Sequence, residues 1–501
     1  MAKTIMVQGT CSNAGKSVLA AALCRIFQQD GYRTAPFKSQ NMALNSFVTA
    51  DGLEMGRAQA MQAEAAGIAP DVRMNPILLK PTSSTGSQVI VNGKPLGDRT
   101  AREYWSEKAA LRPAVQAAFD SLAAEYDIIV IEGAGSPAEI NLKQDDFVNM
   151  GLAKMVNAPV LLVGDIDRGG VFASLYGTVK LLEPDEQALI KGLIVNKFRG
   201  DLEILRPGLA MLEELAGKPV LGVVPFAALD LDDEDSLSGR LSARTADGLL
   251  DIVVIRLPHL SNFTDFSAFS RIPGVSLRYA EKPGQLGRAD FVILPGTKST
   301  LSDLKWLRQS GMEARLLQLH AAGTPVAGIC GGYQMLGQWL RDPEGHEGGG
   351  ALRGLGLLPA ETVFRDAKTT VQARGEVLPQ SDFWGALSGA KTEGYEIHMG
   401  ETSLAEGAQP FQLLSRGAGT VPDGCVSGSV FGTYLHGIFD GGGFLTRLAG
   451  LLAERRGLAL EAALPDPAQY REAQYDKLAA LVREALDMER IYQILEEGKA
   501  L

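Results

Sequence analysis

Residues 3–8 are a short run of apolar and β-branched side chains. They lead directly into Gly9-Thr-Cys-Ser-Asn-Ala-Gly15-Lys16-Ser17, and a helical pattern follows over residues 17–29. A glycine-bearing turn between a buried strand and a helix commits this end of the chain to a parallel α/β sheet. The turn also aims backbone N–H groups and the positive end of the helix at a phosphate. Lys16 adds a cation for the β- and γ-phosphates of ATP, and the Ser17 hydroxyl suits Mg2+. The backbone from Thr10 to Gly15 is the expected cradle.

Five residues rather than four separate Gly9 from Gly15. That lengthened loop resembles those of dethiobiotin synthetase and of partition-type ATPases. Residues 127–131 form a second buried strand that ends in Glu132-Gly-Ala-Gly135, where a carboxylate can hold Mg2+ directly or through water. Further strands are expected over 159–163, 191–195 and 219–223. Asn196 follows one of them and either reads an adenine edge or caps its strand; the sequence supports both equally. An acidic stretch opening at Leu229 reads as a solvated linker. A second αβ series runs through 249–257, 275–279, 290–294 and 325–329. Its later part is richer in Gly and short strands, through 431–435, and the pattern is helical from Leu445. The expected organisation is an ATP-binding domain (1–235), an acidic linker (236–248), a second α/β domain (249–445) and a helical tail (446–501).

Composition narrows the partners. Across 501 residues, 48 Lys and Arg against 59 Asp and Glu leave a net charge of −11. That balance argues against nucleic acid, whose phosphates require a basic surface. Residues 321–340 are uncharged over the length of a membrane span, but repeated Gly and one Pro exclude a lipid-facing helix. The N-terminus has no signal-peptide h-region, so a cytoplasmic protein is expected. Cys11, Cys24, Cys330 and Cys425 match neither a disulfide framework nor a zinc site. Homo-oligomerisation is left open.

Residues 324–329 are an apolar strand that enters a helix through Gly328-Ile-Cys330-Gly331-Gly332. Flanking glycines permit the strained turn of a nucleophile elbow, which presents a side chain at a helix N-terminus. A thiol placed there ionises more readily, and the amide of Gly331 can face an oxyanion. Gly296, in the turn after strand 290–294, offers a second amide. Cys24 and Cys425 read as buried structural thiols, and Cys11 as a spacer in the phosphate loop. His436 lies 106 residues after Cys330, just past a short strand and before a Gly, and is the expected base. His398 is its rival; His320 and His346 read as surface positions.

Together the elbow and His436 resemble a class I glutamine amidotransferase domain, which hydrolyses glutamine to ammonia through a thioester. Joined to a dethiobiotin-synthetase-like ATP domain, they resemble the cobalamin-pathway amidotransferases and, within these, the cobyric acid synthase family. The resemblance covers about residues 1–450 and rests on segments 8–17, 38–46, 165–172, 196–201, 328–337, 394–400 and 432–440. It implies ATP- and glutamine-dependent amidation of the b, d, e and g carboxylates of adenosylcobyrinic acid a,c-diamide. It also places an acidic residue, matched by Asp146, near the transferred phosphate, where it is the expected catalytic carboxylate. Lys38, Gln40, Asn41 and Asn45 are the candidate corrinoid contacts, since a Lys and amides can bind carboxylates. The sister a,c-diamide synthase carries a carboxylate-containing segment there. One departure is visible: most class I glutaminases carry a Glu two residues after the His, and here that position is Ile438. What orients His436 is therefore open, and a modest uncoupled glutaminase rate is expected.

Two rivals belong elsewhere. A partition-type ATP switch with a relic glutaminase domain would not need both Cys330 and His436 in intact Gly-flanked settings. A cell-wall precursor ligase would need a further central domain, for which the chain has no room.

Overall fold

The computed structural model describes residues 2–82, 86–231, 248–417, 419–441, 443–460 and 466–498. Apart from Gly248, the expected linker at 236–248 lies outside the described residues.

The N-terminal domain is built on six parallel strands. Their order is Val220–Pro225, Ile190–Phe198, Val160–Asp165, Lys3–Gly9, Ile128–Glu132 and Thr34–Phe37. Ile128–Glu132 and Val160–Asp165 are buried along their whole length, which explains their unbroken apolar runs in place of alternation. The phosphate loop leaves the carboxyl end of the central strand, Lys3–Gly9. Glu132, Asp165 and Asn196 lie at or near the carboxyl ends of neighbouring strands, on the same edge of the sheet. Open α/β sheets bind ligands at that edge. A second sheet of Gln40–Met42, Ile77–Pro81, Gly86–Val91 and Lys94–Thr100 stands beside it. It has no counterpart in the sequence reading.

The C-terminal domain centres on Val275–Ala280, Leu250–Ile255, Phe291–Leu294, Val326–Ile329, Val430–Thr433 and Cys425–Ser427, of which the last runs antiparallel. Ala360–Val377 and Lys391–Leu404 pair as a long antiparallel ribbon. The sequence reading expected short strands there. Thr, Arg and Glu along a half-exposed strand hide the alternation that would mark its full length.

The expected tail divides. Phe444, Leu448 and Leu452 of helix Phe444–Arg455 pack into the C-terminal core. Helices Pro467–Ala485 and Met488–Glu497 instead return to the first domain, where Leu478, Val482 and Ile494 pack against Ile5, Val7 and Phe27. Arg25 clamps the return through Glu472 at 2.7 Å and Asp476 at 2.8 Å. The last helices are thus an outer layer of the phosphate-loop sheet.

Candidate active sites

Strand Val326–Ile329 ends at Cys330, whose φ of +52° and ψ of −110° are strained for a residue with a side chain. Helix Gly331–Leu336 begins immediately after it. A Cβ at Gly332 would come within 1.9 Å of the Leu294 carbonyl oxygen, so only glycine lets the elbow approach the neighbouring strand. The Cys330 Sγ lies 3.6 Å from the Ile397 carbonyl oxygen.

His436 is buried beside the elbow. Its Nδ1 lies 2.6 Å from Asp265 Oδ2, and Asp265 is itself buried in the 3-10 helix Phe263–Arg271. Asp265 therefore fills the place left open by Ile438. Burial disfavours the imidazolium, but Asp265 and Cys330 outweigh it and raise the His436 pKa to about 10. Sequence spacing could not show this partner, because 171 residues separate the two. His398 lines the same pocket, but its Nδ1 faces the Gly400 carbonyl at 2.8 Å and its ring stacks on Tyr434 at 3.7 Å. His320 and His346 are half-buried. Burial pushes the Cys24 thiol well up and the Cys425 thiol up to about 11.

Gly331 lines the Cys330 pocket, and Gly296 abuts His436: a Cβ there would stand 2.9 Å from the imidazole Cε1. The turn holding Gly296 is braced by Thr297 Oγ1, which donates to the His259 carbonyl at 3.1 Å. Farther along the pocket stand Lys298 and Glu347. Burial pushes the Lys298 ammonium down and the Glu347 carboxyl up to about 7, the latter moderated by Lys298. Lys80 and Lys368 close the pocket from the two domains.

At the other site, Lys16 donates from Nζ to the carbonyls of Cys11 at 3.0 Å and Gly135 at 3.1 Å. Ser17 Oγ donates to Glu132 Oε1 at 2.8 Å. Glu132 is fully buried and also accepts from Lys38 at 2.9 Å and Gln62 at 2.6 Å. A hydroxyl beside a carboxylate at this edge is a hard oxygen set that fits Mg2+. Thr10 N donates to the Val163 carbonyl at 2.9 Å, which fixes the start of the loop. Asn196 donates from Nδ2 to the Ala14 carbonyl at 2.9 Å, so its amide braces the loop in place of the strand end. A Cβ on Gly15, at φ +99°, would stand 2.0 Å from that amide nitrogen. Lys197 grips the same loop through the Asn13 carbonyl and pairs with Asp165 at 2.9 Å; the sequence reading gave Lys197 no role.

A cavity of about 510 Å³ opens from the phosphate loop. Lys16, Lys38, Lys108 and Lys143 line it, together with the partly exposed apolar side chains Met42, Trp105 and Leu142. Gln40 and Asn41 are on its wall; Gln40 Oε1 accepts from the Tyr104 hydroxyl, and Asn41 Nδ2 donates to Gln59 at 2.9 Å. Asp146 also faces the cavity, with both carboxylate oxygens accepting backbone N–H groups of Val148, Asn149 and Gly151 at 2.7–3.1 Å. Asn45 departs from its expected place. It is buried between the domains, where its Oδ1 accepts from Phe263 N at 3.3 Å.

The comparisons with known proteins agree with both halves. Residues 5–235 match the CobQ/CobB/MinD/ParA nucleotide binding domain, and residues 251–444 match the CobB/CobQ-like glutamine amidotransferase domain. The cobyric acid synthase of Ruminiclostridium cellulolyticum is 57% identical over 99% of this chain and 98% of its own. That of Citrobacter koseri is 53% identical over 100% and 99%. With two such sites on one chain and this identity along its whole length, the chain belongs to the cobyric acid synthase family of glutamine-hydrolysing, ATP-dependent amide ligases.

Proposed function

We propose that the protein amidates the b, d, e and g carboxylates of adenosylcobyrinic acid a,c-diamide, giving adenosylcobyric acid. The observation that carries this reading is the cavity beside the phosphate loop. It joins Lys16, Lys38, Lys108 and Lys143, of which Lys38 also pairs with Glu132 and Lys143 with Glu186, to exposed apolar side chains suited to a large flat ring. Local cations matter here because a chain of net charge −11 cannot gather a polyanion at long range.

In the first step a substrate carboxylate oxygen takes the γ-phosphoryl group of ATP, and ADP leaves. Lys16 compensates charge on the phosphates, and Lys38 and Asn41 hold the carboxylate. Asp146 orders the cavity wall at the transferred group. Ser17 and Glu132 would hold Mg2+, which supplies charge neutralisation when bound. Ammonia then attacks the acyl carbon, and inorganic phosphate departs.

Ammonia comes from the second site. Cys330 Sγ, its proton already taken up by His436 as base, attacks the side-chain amide carbon of glutamine, and His436 then gives that proton to the departing nitrogen. The amides of Gly296 and Gly331 stabilise the oxyanion. Water hydrolyses the thioester to glutamate and restores Cys330. Lys298 and Glu347 face the α-carboxylate and α-ammonium of the substrate.

The test is mass spectrometry of the a,c-diamide corrinoid incubated with the protein, ATP, Mg2+ and glutamine labelled with heavy nitrogen in its side-chain amide. Stepwise entry of label to a tetra-amidated product is expected. An unchanged a,c-diamide, or, in a parallel incubation with cobyrinic acid, amidation that stops at the a and c positions, overturns the reading.

A further inference from the structure

Two consecutive residues of the first domain reach into the frame of the glutaminase site. Asn45, through its side chain, accepts the Phe263 N–H. Ser46 N donates to Asn262 Oδ1 at 2.9 Å, and the Ser46 carbonyl accepts the Tyr395 hydroxyl at 3.0 Å. Each partner leads to His436. Asn262, with a left-handed φ of +51°, opens the 3-10 helix that carries Asp265, and its Nδ2 lies 3.5 Å from His436 Nδ1. Tyr395 lies nearly parallel to the imidazole at 5.3 Å and exchanges backbone hydrogen bonds with His436 in both directions, at 2.9 and 3.1 Å. The carboxylate that orients the ring and the aromatic side chain that stacks on it are thus both held from the other domain.

This grip is continuous with the synthetase cavity. Lys38 lines that cavity together with Gln40 and Asn41 of strand Gln40–Met42, and the loop leaving that strand runs on to Asn45 and Ser46. Its far end is anchored, since Ser46 Oγ donates to Glu54 Oε1 at 2.7 Å, and buried Glu54 pairs with Lys80 and with Lys368 of the C-terminal domain.

We propose that Asn45 and Ser46 are positioning residues of the glutaminase, setting the alignment of Asp265 and His436 from the synthetase loop that lines the other active site. Ammonia release then depends on the state of that loop. The inference rests on the reading above that Cys330 and His436 hydrolyse glutamine.

Full-length Asn45→Ala and Tyr395→Phe variants test it, assayed with glutamine and with ammonia, together with the pH dependence of Cys330 alkylation by iodoacetamide. Glutamine-dependent kcat is expected to fall about tenfold or more, with the glutamine KM and the ammonia-dependent rate unchanged. The alkylation profile should shift in pH, which a merely structural contact would not cause. Unchanged kcat and pH profile overturn the proposal. Equal loss of the ammonia-dependent rate also overturns it, since the contacts would then prop the whole fold. A wild-type protein without any Cys330-dependent glutamine hydrolysis would instead overturn the functional reading beneath it.

Discussion

Burial by itself would keep the His436 imidazole neutral, yet Asp265 at 2.6 Å and the adjacent Cys330 hold its pKa at about 10. The folded value lies above the ordinary 6.5, so the cation stabilises the fold fully below that pH. This contribution is lost as pH rises through about 10. Glutamine-dependent turnover should therefore hold through neutral pH and fall on the alkaline side as His436 loses its proton. Asp265→Asn removes the main counter-charge. It should lower glutamine-dependent kcat by about 10²-fold or more and move the alkaline limb to lower pH, as read from kcat profiles. Ammonia-dependent amidation should be untouched. Glu347 gives a complementary test. Glu347→Gln should raise the glutamine KM with little change in kcat, while the discrimination against 4-carbamoylbutanoate, which lacks the α-ammonium, largely disappears in competition assays.

At the scale of elements, the elbow and the returning helices show two ways in which local sequence is put to use. The strand-to-helix turn at Cys330 needs glycine around it because strand Phe291–Leu294 crowds it. Helix Pro467–Ala485 starts on local signals alone, with Asp466 capping the N–H groups of Ala468 and Gln469 at 3.0 Å. Its apolar face is completed by the first domain, where Leu478 is 1% exposed. Leu478→Ala should destabilise that domain by about 2–5 kcal/mol, measured by denaturant unfolding. The phosphate-loop helix Lys16–Gln29 packs directly beneath it, so amidation with either nitrogen source should become more heat-sensitive.

For the whole molecule the central prediction is a division of labour. Cys330→Ser should abolish glutamine-dependent amidation and leave ammonia-dependent amidation largely intact. Lys16→Ala should lose both, because an uncompensated phosphate charge stops activation itself. Paired steady-state assays with the two nitrogen sources check both variants, and rescue of Lys16→Ala by ammonia would remove the phosphate loop from catalysis. The division is spatial as well. The cavity with Lys16 belongs to the first domain, whereas the pocket with Cys330 is built on the second and closed by Lys80 and Gln88 of the first, beside the Glu54, Lys80 and Lys368 cluster and the Asn45–Ser46 contacts.

Wherever a conformation depends on neighbours in the chain, it is legible from the sequence. Gly9 to Ser17 and Gly328 to Gly332 announce their turns because a glycine-bearing strand-to-helix loop is a local conformation. Glu132 was legible for a related reason, as a carboxylate closing a continuous apolar strand. Asp265, Asn262 and Tyr395 were not, since each acquires its role by meeting His436 across the fold. Asn45 reads as a corrinoid contact because amides can bind carboxylates, but the chain bends at Leu44 and delivers it to the other domain. Likewise, the last helices read as a tail, because amphipathic spacing fixes that a face is buried without naming what covers it. The sequence by itself determined the strand-to-helix turns, the buried strands, and the places of Lys16 and Cys330 in those turns. The tertiary structure alone decided what orients the histidine, which domain the final helices cover and how the two sites touch, because those depend on contacts between residues hundreds of positions apart.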